Sequence, residues 1–166
     1  RRNTQGERAR PRTGNATGSA GMTWAPYILP VRALGKCGGY DSDIIAGMQW
    51  AAGLTVTGVP DNPYPADIIN LSLGGPADPL LHKLLVQLLS QGRIVIAAMP
   101  PSGHLDGFPD DTPGVIVVRT SETSRAPPGV LSAPGDDILT TQPNDGYDFT
   151  SGSSMAAAQV SGIAAL

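Results

Sequence analysis

Gly152-Ser153-Ser154-Met155-Ala156-Ala157-Ala158 is the stretch whose residue types and spacing best suit a reaction. Two hydroxyl residues precede an alanine run of the highest intrinsic helix propensity. Ser153 or Ser154 is expected to cap that helix, since a serine hydroxyl satisfies backbone N–H groups that lack an acceptor there. A helix N-terminus also stabilises negative charge, which suits a nucleophile whose attack creates an oxyanion. The plain alternative is a structural cap on a buried, alanine-rich helix.

A serine attacks only when a base takes its proton, and in a triad that base is a histidine oriented by an aspartate. The chain holds two histidines. His82 lies among leucines beside Lys83 and is expected on the solvent side of a helix. His104 lies in a glycine-containing loop. Asp41, Asp43, Asp110, Asp111, Asp136 and Asp137 fall where caps and turns are expected, positions that favour aspartate for local hydrogen bonding. The pairs at 110–111 and 136–137 are also candidate Ca²⁺ ligands together with loop carbonyls, and no other metal or cofactor is expected. Cys37 is the single cysteine, so no internal disulfide can form, and a free thiol in a turn is expected.

The elements that must position these residues follow the rhythm of an α/β domain with a largely parallel sheet. Four apolar runs read as neighbouring strands of one sheet: residues 28–31, 68–73, 94–98 and 115–118. Pro30 sits inside the first of them, although proline has no ladder donor. Ile44, Ile45, Met48 and Ala52 repeat at helical spacing after Asp41, Ser42 and Asp43, which offer cap and first-turn residues. Leu80, Leu81, Leu84, Leu85 and Leu88 form a second amphipathic helix ending near Gln91-Gly92. In such sheets ligands bind beyond the carboxyl ends of the strands. Attention therefore falls on residues 73–76, 99–103 and the approach to Ser154.

Composition narrows the classes. The 166 residues, 40% apolar and 15% charged, suit one globular domain with a real core. Residues 1–20 lack apolar periodicity and are expected to be disordered or degenerate, leaving 21–166 as the domain. A net charge of −3 gives no nucleic-acid footprint, and the five arginines among the first twelve residues read as a solvated end. No apolar run approaches the roughly 20 residues that span a bilayer.

Gly152-Ser153-Ser154-Met155-Ala156 resembles the segment around the nucleophile of subtilisin-like serine peptidases, the subtilases. Ala158 stands where that family commonly has proline, and Gln159 where it commonly has histidine. Ile28-Leu29-Pro30-Val31-Arg32, Ile69-Asn70-Leu71-Ser72-Leu73-Gly74, Pro113-Gly114-Val115-Ile116-Val117-Val118 and Ala133-Pro134-Gly135-Asp136-Asp137-Ile138-Leu139 are similar to further family segments, in the family's order. The resemblance implies an α/β, three-layer subtilisin-like fold with a largely parallel central sheet flanked by helices, present as a partial domain truncated at both ends. It implies a serine endopeptidase working through an acyl-enzyme at Ser154, with Ser72, Leu73 and Gly74 binding an extended peptide or protein substrate. Secretion, or an extracytoplasmic location, follows by the same resemblance.

Three departures bear on activity. The family's Asp and His segments would fall at or before the first residues, and no such segment is present there. The family's oxyanion asparagine is replaced by Pro100, which has neither an amide side chain nor a backbone N–H, leaving the Ser154 N–H as donor. Relatives with the Lys-Cys-Gly-Gly turn pair that cysteine with a later one, which this sequence lacks. The 166 residues are therefore expected to be nearly inert by themselves. A non-catalytic subtilase-like domain that binds extended peptides in the residual cleft is the alternative. A small α/β hydrolase or binding module outside the family is disfavoured by the absence of a Gly-x-Ser-x-Gly elbow.

Overall fold

The computed structural model describes residues 21–23, 26–121, 127–142, 144 and 146–166. The expectation for residues 1–20 lies outside them. Element order is α1 (Asp41–Ala51), β1 (Ile68–Leu71), α2 (Pro79–Ser90), β2 (Ile94–Ala98), β3 (Ile116–Thr120), β4 (Leu131–Ala133), β5 (Ile138–Gln142), β6 (Gly146–Thr150) and α3 (Ser153–Ala164).

Strands β1 to β4 form one sheet in sequence order, every pair parallel. A parallel sheet is covered on both faces and reads as continuous apolar sequence. Val95, Ile96 and Ala97 of β2 accordingly have no exposed surface. Successive strand residues point to opposite faces, and the core divides on that alternation. Val95, Ile69 and Leu71 pack with Ile44 and Met48 of α1 and with Leu81, Leu84, Leu85 and Leu88 of α2. Ile96 and Val118 pack with Ala133 and with Ala156 and Ala157 of α3. The result is three layers: two helices, the sheet, and α3 on the other face.

The leucine periodicity places α2 where the sequence indicates, and its ends follow local chemistry. The Asp78 carboxylate accepts from the N–H groups of Leu80 and Leu81, at 2.8 and 2.9 Å, with Pro79 opening the helix. Gly92, at φ +79°, turns the chain out of it. Helix α1 departs slightly from expectation: Tyr40 is its N-cap without a side-chain bond, and Asp41 and Asp43 serve as first-turn acids.

Three of the four expected strands share the sheet; the first does not. Around residues 28–31 only Ile28 makes a bridge, and Tyr27, Ile28, Val31 and Leu34 remain substantially exposed. Pro30 cannot donate to a ladder, and the strip lies against α1 instead, where a Cβ at Gly47 would meet Val31 Cγ1 at 3.2 Å. The strand expected over 68–73 stops at Leu71, paired with Ala97, so Ser72 and Leu73 lie beyond the sheet. Strand β4 and the antiparallel β5–β6 hairpin are additional. Among the described residues no helix is long and apolar enough to cross a membrane.

Candidate active site

Ser154 is the second residue of α3 and is partly buried. Neither serine caps the helix. The N-cap is Gly152, at φ +143° and ψ +165°, and it has no side-chain cap bond. L side chains rarely adopt that φ, so the cap position is closed to serine and both hydroxyls move into the first turn. The Gly152 N–H donates to Gly135 C=O at 2.8 Å, and the Gly152 C=O accepts from the Met155 N–H at 2.9 Å. The N–H groups of Ser153 and Ser154 belong to the first turn, which has no intrahelical acceptor. They lie on the rim of a cleft, where an oxyanion would meet the positive end of α3.

Close packing fixes this helix end. Ala156 and Ala157 are completely buried against the sheet. A Cβ at Gly135 would approach Gly152 O to 2.9 Å and Ala156 Cβ to 3.1 Å, so only glycine allows the 134–136 turn to touch the start of α3. The Thr120 hydroxyl at the end of β3 donates to Asp136 Oδ2 at 2.5 Å, and the Asp137 N–H donates to Ser151 Oγ at 2.9 Å. From β1, the Asn70 amide donates to Ser72 Oγ at 3.0 Å, and the Ser72 hydroxyl donates to the Ser154 carbonyl at 3.4 Å. The Ser161 hydroxyl returns a bond to Asn70 Oδ1 at 3.0 Å. The Ser154 carbonyl is thereby linked to the segment just beyond β1, and Ser151, three residues earlier, to the 135–137 turn that Thr120 of β3 holds.

A cleft of about 860 Å³ runs past Ser154. Ser72, Leu73 and Gly74 line one stretch of it, and Pro100 and His104 another. Residues far apart in sequence thus meet where open parallel sheets bind ligands. The Pro100 side chain lies on the rim without any N–H to offer. The Met99 N–H is held by Val118 C=O at 2.8 Å, and the Gly103 N–H by Pro100 C=O at 3.0 Å.

The two histidines separate. His82 belongs to α2, on the sheet face opposite α3, and is half-buried rather than on the surface as its neighbour Lys83 suggests. Its Nδ1 lies 3.0 Å from the buried Thr112 hydroxyl, a partner supplied by a loop thirty residues on. His104 is exposed on the cleft rim, where its N–H donates to Ser102 Oγ at 3.3 Å. Neither the His104 ring nor the Ser154 hydroxyl bonds a described side chain.

Two acids of the 104–112 loop reach the cleft, Asp106 and Asp110. Burial pushes the Asp110 carboxyl pKa up, against backbone hydrogen bonds from Asp110 and Gly107 that lower it. In sequence both read as loop acids. The contact that brings them in is long-range: Gly75 and Phe108 exchange both backbone bonds at 3.0 Å. Among the described residues no group of three or more His, Cys, Asp or Glu converges to hold a metal. Asp136 instead accepts from Thr120. Cys37 is an exposed free thiol between the bridged Gly35 and Gly38.

The described residues thus form a three-layer parallel α/β domain with a serine at a helix N-terminus beside a cleft. The comparisons give the family. The Peptidase S8 model, the subtilase family, matches residues 11–166, and the chain belongs to that family. It is 37% identical to an extracellular basic protease of Dichelobacter nodosus over 173 aligned positions, covering 93% of this chain and 29% of that protein. It is 32% identical to subtilisin DY of Bacillus licheniformis, covering 92% of this chain and 57% of that protein. Among solved structures, a protease from Pseudoalteromonas arctica superposes with a TM-score of 0.83 at 32% identity, covering 92% of this chain and 53% of that one. The 166 residues thus span between about a third and about half of these relatives.

Proposed function

We propose that this chain carries the nucleophile and substrate cleft of a secreted serine endopeptidase, with Ser154 forming the acyl-enzyme. The observation that carries the proposal is the bond from Ser72, just beyond β1, to the Ser154 carbonyl beside a cleft lined by Ser72, Leu73 and Gly74. Beyond Leu71 the chain leaves the sheet, and an extended peptide can add there by backbone pairing. The Ser154 N–H at the start of α3 is the oxyanion donor. The base and its orienting acid come from sequence outside these 166 residues. Secretion follows the extracellular proteases among the relatives, and peptide or protein substrates follow the same relatives.

Pro100 is what favours a second reading, a domain that binds peptides without cutting them. Loss of one oxyanion donor costs roughly 10²–10³ in rate, a magnitude measured on a subtilisin. Loss of the histidine costs on the order of 10⁶, again on a subtilisin. The test is hydrolysis of an unstructured peptide by a longer form carrying an upstream Asp and His. Slow cleavage, abolished by Ser154→Ala and accelerated by Pro100→Asn, is expected. Peptide binding without cleavage, unrescued by Pro100→Asn, would replace the protease reading with the binding one.

A further inference from the structure

One wall of the cleft is held from behind by a histidine. Asp106, Gly107 and Phe108 line the cleft, and Phe108 exchanges both backbone bonds with Gly75 at 3.0 Å. The Phe108 side chain is buried among residues of α1 and α2. Four residues on, the buried Thr112 hydroxyl lies 3.0 Å from Nδ1 of His82 on α2. That hydroxyl also donates to Asp111 Oδ1 at 3.2 Å. The Asp111 N–H donates to Gly107 C=O at 2.8 Å, and the Thr112 N–H to Pro109 C=O at 3.3 Å. The turn carrying Thr112 is therefore continuous with the cleft wall.

A hydroxyl has one proton, and here two groups can compete for it. With a proton on Nδ1, the imidazole donates to Thr112 Oγ1 and the hydroxyl donates to Asp111, so both bonds form. With a neutral ring protonated at Nε2, Nδ1 is an acceptor, and the hydroxyl serves His82 or Asp111 but not both. An imidazolium always carries the Nδ1 proton, so protonation removes the competing arrangement. It also sets a cation and a carboxylate at the two ends of one hydroxyl, where each bond is charge-assisted.

Few charged groups surround His82. Asp78, one turn back on α2, caps the helix and offsets its positive end. Lys83, the next residue, is exposed to solvent, where its charge is screened. Helix α1 and strand β2 also pack against α2; β2 brings no charge, and α1 brings Asp41 and Asp43. Among the described residues neither of those acids, nor His104, Asp106 or Asp110 of the loop, makes a hydrogen bond or ion pair with His82.

We propose that His82 is a positioning residue for the cleft: through Thr112 it holds the wall at 106–112, and most firmly when its imidazole is protonated. The wall then loosens as pH rises through the range in which histidines change charge, about 5 to 8. The proposal goes beyond the peptide reading, and its test needs neither peptide nor catalysis. Native-state hydrogen exchange is followed at the Gly75 and Phe108 amides of the 166-residue chain, corrected for the intrinsic pH dependence of exchange. The Val95 amide in β2 serves as the core reference.

Protection of the two bridge amides, relative to Val95, is expected to be about threefold greater at the acid end of that range, the worth of roughly one hydrogen bond. His82→Gln and Thr112→Val should each flatten the profile, while His104→Gln leaves it intact. A flat profile in the parent chain would overturn the proposal. So would a profile that survives His82→Gln, or one shared equally by Val95, which would mark a change in global stability alone. The midpoint must also coincide with the titration of the His82 ring resonances by NMR. Coincidence with His104 instead would overturn the assignment, so the parent chain decides even where a variant fails to fold.

Discussion

The rim carrying Ser154 and the rim carrying Pro100 face one cleft, and they are held in place by different means. On the Ser154 side, two fully buried alanines, an obligatory glycine contact and hydrogen bonds from Ser72 to Ser154 and from Asp137 to Ser151 fix the helix start. The Pro100 side is an exposed turn, closed by one backbone bond from Gly103 and by the distant Gly75–Phe108 bridge. Packing constrains the first rim strongly and the second little. On the proposed reading, a proline at position 100 therefore removes an oxyanion donor without disturbing the fold. On that reading, placing the nucleophile and activating it are separable.

Mutations should expose that asymmetry. The largest effect is expected at Gly135, where any Cβ meets Gly152 O and Ala156 Cβ inside ordinary contact distance. Gly135→Val should cost about 1–3 kcal/mol by overpacking, read as a lower denaturation midpoint. An unchanged midpoint would mean that the turn and the helix start are not in tight contact. Asp136→Ala removes the acceptor of the Thr120 hydroxyl and should cost about 1 kcal/mol. Ser102→Ala, on the other rim, exchanges an exposed side chain and should stay within about 0.5 kcal/mol. A Ser102 loss as large as that at Asp136 would erase the distinction between the rims.

Asp110 gives the smaller, pH-dependent effect. Burial raises its pKa in the folded state above the ordinary 3.8, so the folded chain binds that proton more tightly than the unfolded one. Its contribution to stability is greatest below about pH 3.8 and is lost as pH rises through the raised value. Asp110→Asn should therefore raise the midpoint at neutral pH relative to the parent, with the gain shrinking on acidification. A gain that grows on acidification would reverse the assigned direction.

The sequence made the interior more legible than the edges. The Leu81, Leu84, Leu85 and Leu88 repeat and the continuous β2 run read correctly, because burial on a fixed period dominates there. Residues 28–31 misled because apolar content resembles a strand whether the partner is a sheet or, as here, helix α1; Pro30 was the available warning. The β5–β6 hairpin carried a local turn signal in Asn144-Asp145-Gly146, with Asn144 at φ +64°. At the cleft, the place of Ser154 at the start of α3 was legible from local chemistry, whereas the Gly152 cap required the backbone angle. Asp106 and Asp110 could not be placed from sequence, since a bridge between positions 75 and 108 brings them in.

The most direct test of separable geometry and activation is labelling of the 166-residue chain by a fluorophosphonate probe. Reaction requires an imidazole within roughly 2.6–3.2 Å of the hydroxyl, and His104 makes no such bond to Ser154. The account predicts no stoichiometric labelling, in a chain whose folding is confirmed by a cooperative unfolding transition. Stoichiometric modification of Ser154, abolished by His104→Ala, would contradict it and show that the Pro100 rim supplies a working base.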